Sequence, residues 1–357
     1  MSLTLSTFKN FCTSRFKNNC RFRSAPKQLA DKAQKAWFAI RRAFITNQSN
    51  DPALILKLFD TLVRPIITYA SEIVGQDSLN YFDVETIKWE NTPFEQLHNK
   101  VCKNILGIRR NASGLAAKAE LGRYPLLINI AQLTIKYYTK IIADPSKITY
   151  FALRSEQELH DNGKKSWISF VNKLLDTSGI SLNQVLCKPK SIIPLLKEKF
   201  EKTFFSTIGS TKGVNKKTGN KLRTYAKFKI NYEIENYLNC RLPKHITSAI
   251  AKLRTSTHNL EIETGRYIRP RIPPENRICK CCSSSAIEDE THFLLNCTAY
   301  TELRNDLFDI IGQPNEIIGN TEILIRVMTL KEKTDNFALG LYICKANQKR
   351  KTILNAH

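Results

Sequence analysis

The sequence predicts a mainly α-helical protein: a helical domain, a helical connector, and a small zinc-stabilised module near the C-terminal end. Three observations lead there. Over residues 29–145 apolar side chains recur at spacings of three and four, the period of a helix with one buried face. Helix starts and stops are clearly punctuated, as at Thr92-Pro93, Gly107, Ser113 and Gly122. Finally, Cys279, Cys282, His292 and Cys297 bring four soft metal donors into one short segment.

In chain order, residues 1–28 form a basic arm. Residues 1–30 carry six basic side chains and no acid, with Phe8, Phe11, Phe16 and Phe22 among them. This arm reads as a loosely ordered tail or a binding segment. From Leu29 a first helix places Leu29, Ala33, Ala36, Trp37, Ile40 and Phe44 on one face. Asn50-Asp51-Pro52 starts a second, with Leu54, Ile55, Leu58, Phe59, Leu62 and Val63 expected together, and Pro65 kinks or ends it. Thr92 caps a third helix, with Pro93 in its first turn and Glu95 reaching back as capping-box partner. Its apolar face is Phe94, Leu97, Val101, Ile105 and Leu106; His98 reads as a surface residue. A short helix from Ser113 and a longer one over Leu126–Ala143 complete the 29–145 domain.

Residues 146–239 read as a helical connector, with helices near Trp167–Leu175 and Leu195–Phe205 and a basic loop at 209–229. Between Glu201 and Glu233 lie eight basic residues and no acid, including Lys212, Lys216, Lys217, Lys221, Arg223, Lys227 and Lys229. Tyr225, Phe228 and Tyr232 are interleaved with them. Such a pattern suits phosphate neutralisation and base stacking, and equally a basic loop whose aromatics begin a core helix. Residues 240–357 are basic again, with Lys252, Arg254, Arg266, Arg269 and Arg271 leading into the cysteine cluster. An amphipathic helix over Tyr300, Leu303, Leu307 and Ile310 follows, and a last helical stretch, Ile323–Ala346, ends in Lys349-Arg350-Lys351, a candidate nuclear-import patch.

In the cluster, Cys279 and Cys282 are separated by two residues, nine more lead to His292, and four to Cys297. A Cys-x2-Cys turn supplies two thiolates through a tight backbone, and the loop after it can deliver the second pair. Residues five apart on an unbroken α-helix point about 140° apart. A break is therefore expected near Asn296–Thr298, with Thr298 capping the next helix. Cys281 is a spare, and Glu288-Asp289-Glu290 reads as a solvated charge cluster.

Composition narrows the partners. The chain has 357 residues and a formal net charge of +23, from 55 Lys and Arg against 32 Asp and Glu. That surplus attracts polyanions, nucleic acid first. No signal-peptide core and no apolar run of membrane-spanning length occur in the sequence. An intracellular, reducing setting, nuclear or cytoplasmic, is expected, with Cys12, Cys20, Cys102, Cys187, Cys240 and Cys344 as ordinary thiols.

Two stretches, CRLPKHITSAIAKLRTSTHNLEIETGRYIRP and RICKCC…EDETHFLLNCTAYTELR, resemble the C-terminal end of LINE-type retrotransposon reverse transcriptases. Upstream, QLADKAQKAWFAIRR, LKLFDTLVRPIITYASEIVG and FEQLHNKVCKNILGIRRNASGLAAKAELGRYPL are similar to the helices that follow the palm in those polymerases. The resemblance implies a thumb-like domain over 29–145, structural zinc on Cys279, Cys282, His292 and Cys297, and packing roles for Phe293, Leu294 and Tyr300. It also implies RNA or DNA as partner, and neither a membrane nor a small-molecule substrate. The family's catalytic aspartate pair has no counterpart, because the chain contains no Asp-Asp sequence. The palm and endonuclease would then lie before residue 1, and no catalysis is expected from this chain alone. Two alternatives stay open: a domesticated protein-interaction module with zinc as a staple, and an incomplete gene model of an active RNA-directed DNA polymerase.

Overall fold

The computed structural model describes residues 25–46, 51–74, 88–179, 181, 183–184, 192–210, 220–314 and 318–356. Among these the protein is mainly helical and no β-strand occurs. The first helices are α1 (Ala25–Thr46), α2 (Pro52–Leu58), α3 (Arg64–Ile67), α4 (Ser71–Val74), α5 (Pro93–Leu106) and α6 (Gly114–Glu120). The middle of the chain forms α7 (Leu126–Ile142), α8 (Ile148–Asp161), α9 (Trp167–Ser178) and α10 (Ile192–Gly209). Then come α11 (Tyr225–Phe228), α12 (Asn236–Asn239), α13 (Lys244–Arg254), α14 (Glu261–Thr264), α15 (Thr301–Ile311), α16 (Asn320–Met328) and α17 (Lys333–Asn355). No described helix is long and apolar enough to cross a membrane. The chain divides into two compact units: Met1–Ser49, Leu54–His98 and Tyr124–Glu201 form one, and Asn50–Ala53, Asn99–Arg123 and Lys202–His357 the other.

The first unit is built on aromatic contacts. Leu29, Ala33 and Trp37 of α1 are buried, and Trp37 meets Phe59 edge-on at 6.4 Å. Phe59–Val63 is a π-helical turn just before Pro65. Proline lacks an N–H and clashes with the carbonyl four residues back, and the wider turn accommodates both effects. The widening also rephases the apolar face. Phe59, Val63 and Ile67 are buried, whereas Leu54 and Leu62, expected beside them, are exposed.

His98 is a correction to the sequence reading. It is fully buried, stacked nearly parallel on Phe59 at 5.5 Å, because position 98 shares the face of Phe94, Val101 and Ile105. Its neighbour Glu95 is also buried, and the Thr92 N–H, the group a capping box would offer it, donates to Trp89 O at 3.1 Å. Thr92 Oγ1 accepts from the Glu95 N–H at 3.4 Å as expected. The Glu95 carboxylate lies 3.5 Å from His98 Nδ1 and accepts from the Leu127 N–H at 3.2 Å. Pro125, at the N-cap of α7, has no side-chain acceptor, so Glu95 does that work from another helix. Helices α7, α8 and α9 pack together, with Trp167 against Tyr137 and Tyr138 and its indole N–H donating to Glu72 O at 2.8 Å.

The second unit is organised by buried ion pairs and close helix contacts. Gly107 ends α5 at φ +65°, where a side chain would be strained, and a Cβ there would lie 2.7 Å from Ser248 Oγ. Ser113 caps α6 by accepting from the Ala116 N–H at 3.3 Å. Helix α17 packs on both α13 and α15, and a Cβ at Gly340 of α17 would fall 2.4 Å from Ile246. The predicted helix Ile323–Ala346 is in fact two, α16 and α17. Buried Asn336 secures the turn between them by donating to Leu330 O at 3.1 Å and Glu332 O at 2.8 Å. On α15 the buried residues are Leu307, Phe308 and Ile311, leaving Ile310 exposed.

Candidate metal centre

The first two candidate donors, Cys279 and Cys282, sit on a minimal antiparallel turn. Ile278 and Ile287 form an isolated bridge, with the Cys279 N–H donating to Ala286 O at 2.8 Å and the Glu288 N–H to Arg277 O at 2.9 Å. Ser285 takes a left-handed conformation, φ 52°, to close it. The Cys281 N–H points at Cys279 Sγ at 3.4 Å, a donor that favours thiolate character. Arg277 braces the turn from beneath. It is buried, and its guanidinium donates to Ile262 O at 2.7 Å and Ile272 O at 2.9 and 3.0 Å.

The second pair depends on helix geometry. Asp289 Oδ1 accepts from the His292 N–H at 2.8 Å and so caps the segment that carries the histidine. His292–Asn296 is then a π-turn, closed by the Cys297 N–H donating to His292 O at 2.8 Å. A bond spanning five residues widens the turn, so positions five apart come closer to one face than an α-helix allows. Cys297 leaves the helix in extended conformation, which is the break expected at 296–298. Thr298 does not cap the next helix; it lies in a 3-10 turn, Thr298–Tyr300, that leads into α15. Arg304 of α15 returns to the site, donating through Nε to Leu294 O at 3.0 Å and through Nη2 to Cys297 O.

The four donor atoms of Cys279, Cys282, His292 and Cys297 all lie within 4.8 Å of one another and could hold a metal ion. Cys279 Sγ and Cys297 Sγ are 3.9 Å apart, and Cys282 Sγ is 3.4 Å from His292 Nε2. The facing sulfur of Cys297, together with burial, pushes the Cys279 thiol up to about 12. The thiols beside His292 raise its pKa, with Cys279 the main cause. At Cys282 burial works upward, but hydrogen bonds from Ser284 outweigh it and lower the thiol. Protein groups alone thus leave sulfurs crowded together, and a bound cation would reverse the balance by stabilising thiolates. Cys281 and Glu288 make a second close group with Cys279, but the Glu288 oxygens already accept from other donors.

Those donors overturn the reading of Glu288-Asp289-Glu290 as a solvated cluster. Glu288 and Glu290 are buried. Arg350 of α17 grips Glu288 with two bonds of 2.7 Å, and the Glu261 N–H adds a third at 2.7 Å. Glu290 accepts from Arg223 Nη2 at 2.8 Å, Thr224 Oγ1 at 2.9 Å, Ser256 Oγ at 3.2 Å and His258 Nε2 at 2.9 Å. His258 Nδ1 accepts from the Leu260 N–H at 3.3 Å, so the neutral tautomer with hydrogen on Nε2 satisfies both sides. Arg350, read from sequence as part of a candidate nuclear-import patch, is buried for the same reason. Local composition could not reveal this, because the partners lie 62 and 67 residues away in sequence.

The predicted nucleic-acid residues divide sharply. Arg254 is buried, bidentate to Glu120 at 2.9 and 3.0 Å and paired with Glu235 at 2.6 Å, with Tyr237 OH donating to Glu120 at 2.6 Å. Lys229 is buried on Glu235 and on Glu233 O, and Arg266 is buried 3.0 Å from Glu263. Arg223 bridges Glu263 and Glu290. These four hold carboxylates of the protein itself and are not presented to a phosphate. Tyr225, Phe228 and Tyr232 are buried as well, which places them in the core. Lys227, Arg269 and Arg271 are exposed, and Lys221 and Lys252 half-buried. Lys212, Lys216 and Lys217, like residues 1–24 of the basic arm, lie outside the described residues.

Comparison of the chain with models of protein families, with curated proteins and with solved structures returns no match to any of them.

Proposed function

We propose that this protein is a nucleic-acid-binding piece of a LINE-type reverse transcriptase, without the catalytic palm, in which Cys279, Cys282, His292 and Cys297 hold a structural zinc ion. One observation carries the zinc: the donor spacing. Bonds of about 2.3 Å to sulfur and about 2.0 Å to nitrogen set tetrahedral edges of roughly 3.8 Å between sulfurs and roughly 3.5 Å from sulfur to nitrogen. The separations here are 3.9 and 3.4 Å. With three sulfurs and an imidazole, the set is soft enough for zinc and complete at four, so zinc would have no open position for a reacting water. Its work is to fix shape.

The charge of +23 and the motif resemblance support nucleic acid as the partner. Phosphate contacts would dominate, which makes binding steeply salt-dependent and weakly sequence-selective. Catalysis by this chain is not part of the proposal, since two-metal chemistry needs clustered carboxylates and no Asp-Asp pair occurs.

Metal analysis of the full chain should find one zinc per molecule, and the double variant Cys282→Ser, His292→Ala should lose the metal and melt well below the parent. Retention of the parent's thermal stability by that variant would end the structural-zinc reading. Mobility shifts with RNA and DNA at low and moderate salt test the rest, and primer extension with magnesium should stay at background. Failure to bind either nucleic acid at low salt would end the nucleic-acid reading.

A further inference from the structure

The second unit contains a cleft of about 680 Å³ between the turn after α5, one face of α13 and one face of α17. Its chemistry is one-sided. Arg109, His245, Lys252 and Lys351 line it, and no lining residue is a carboxylate. The spacing on each helix explains the convergence. His245, Ser248, Ala249 and Lys252 are three and four apart along α13, and Cys344, Gln348 and Lys351 do the same along α17.

Two lining residues are already committed to buried carboxylates. Arg350 and His258 reach the cleft with one edge and hold Glu288 and Glu290 with the other. Among the described residues Lys252 and Lys351 have no carboxylate at ion-pair distance, unlike the buried Lys229 and Arg254. Arg109 Nη2 donates to Asn259 Oδ1, which fixes the guanidinium on the rim without cancelling its charge. The walls are tied together: Ser248 Oγ donates to Gly107 O at 2.8 Å, and elsewhere on the same helices Gly340 lets α17 lie directly against Ile246 of α13.

We infer that this cleft is the primary phosphodiester-binding site of the protein, with Arg109, Lys252 and Lys351 contacting successive backbone phosphates of a nucleic-acid strand. The inference rests on the nucleic-acid reading above and adds a location to it. It also separates two kinds of basic residue along one chain: those that balance buried glutamates, and those left facing solvent around an acid-free cavity. Asn259 and Gln348 also line the cleft, and their amides add neutral hydrogen-bonding groups within reach of sugars or base edges.

The test compares the full chain with Lys252→Gln, Lys351→Gln and with a control pair, Lys140→Gln, Lys164→Gln, that removes the same charge from exposed positions of the other unit. Binding of a labelled 20-nucleotide RNA and the matching DNA is measured across a salt series. Loss of two phosphate contacts should make the log–log salt slope shallower by about 1.4 to 1.8 and weaken binding roughly tenfold at moderate salt. The control pair should leave the slope within about 0.3 of the parent. Circular dichroism and melting curves of all three should coincide, because both cleft lysines are outside the ion-pair network. A parent that binds while both double variants change equally overturns the cleft and leaves the nucleic-acid reading standing. A parent that binds neither strand overturns both.

Discussion

Replacing Glu290 by glutamine removes one charge from the interior of the second unit and little else. The carboxylate is fully buried and accepts from four side chains, Arg223, Thr224, Ser256 and His258. Glutamine keeps the shape but turns one acceptor into a donor, which then faces hydroxyls, an imidazole N–H or a guanidinium. Breaking a buried pair by removing one partner costs about 3–5 kcal/mol. Arg223 retains Glu263 at 3.1 Å and is partly exposed, which puts the loss at the lower end, about 3 kcal/mol. For a unit of this size that is a drop of about 6–12 °C in Tm.

The pH dependence carries the sharper test. Burial pushes the Glu290 pKa up, but the His258 hydrogen bond and the Arg223 charge outweigh it and hold the group far below the usual carboxylate range. A depressed carboxylate contributes stability that is complete above its unfolded pKa of about 4.3 and disappears as pH falls toward the folded value. Denaturant unfolding of parent and Glu290→Gln from about pH 5 to about pH 3.5 should therefore show a gap that narrows as the pH falls. A loss under about 1 kcal/mol at pH 7, or a gap that does not narrow in acid, would refute the buried-charge account.

Two further outcomes follow from the same reasoning. Arg254→Met should cost about 3–5 kcal/mol in denaturant unfolding, because it strands Glu120 and Glu235, yet leave the salt slope of nucleic-acid binding unchanged. Glu95→Gln should cost about 1 kcal/mol by weakening the charge at the start of α7, seen as a lower melting temperature and faster amide exchange at Leu127.

Much of the helical pattern was legible in the sequence because it depends on neighbours three and four residues away. Ser113 and Gly107 sit where their cap and stop chemistry requires. The four residues that could hold a metal were legible for a related reason, since their spacing is local and their donor chemistry specific. What escaped notice was the pairing of charge over distance. A glutamate run beside an arginine-rich tail reads as solvated when each is taken alone. Only the folded chain places Arg350 on Glu288 and Arg254 on Glu120, and with +23 to distribute, composition cannot say which cations are internal counterions. His98 was hidden differently: its face was apolar, and its residue type outweighed its position in the reading. The interleaving of the two units was likewise beyond any reading of consecutive segments.

The grip of Arg350 on Glu288 bears on how the chain is made. The cysteine loop is translated well before the arginine that neutralises it, 62 residues later. Until α17 has emerged and docked, the nascent loop carries Glu288 without its Arg350 partner, and burying that charge unpaired is costly. If the four candidate donors take up a metal, capture on the ribosome would therefore give an open, solvated loop that closes only once Arg350 of α17 has been made. A shortened product ending before Arg350 would keep all four candidate donors and still lack the buried pair. Metal content alone would then be a poor assay of whether a molecule has reached its native state.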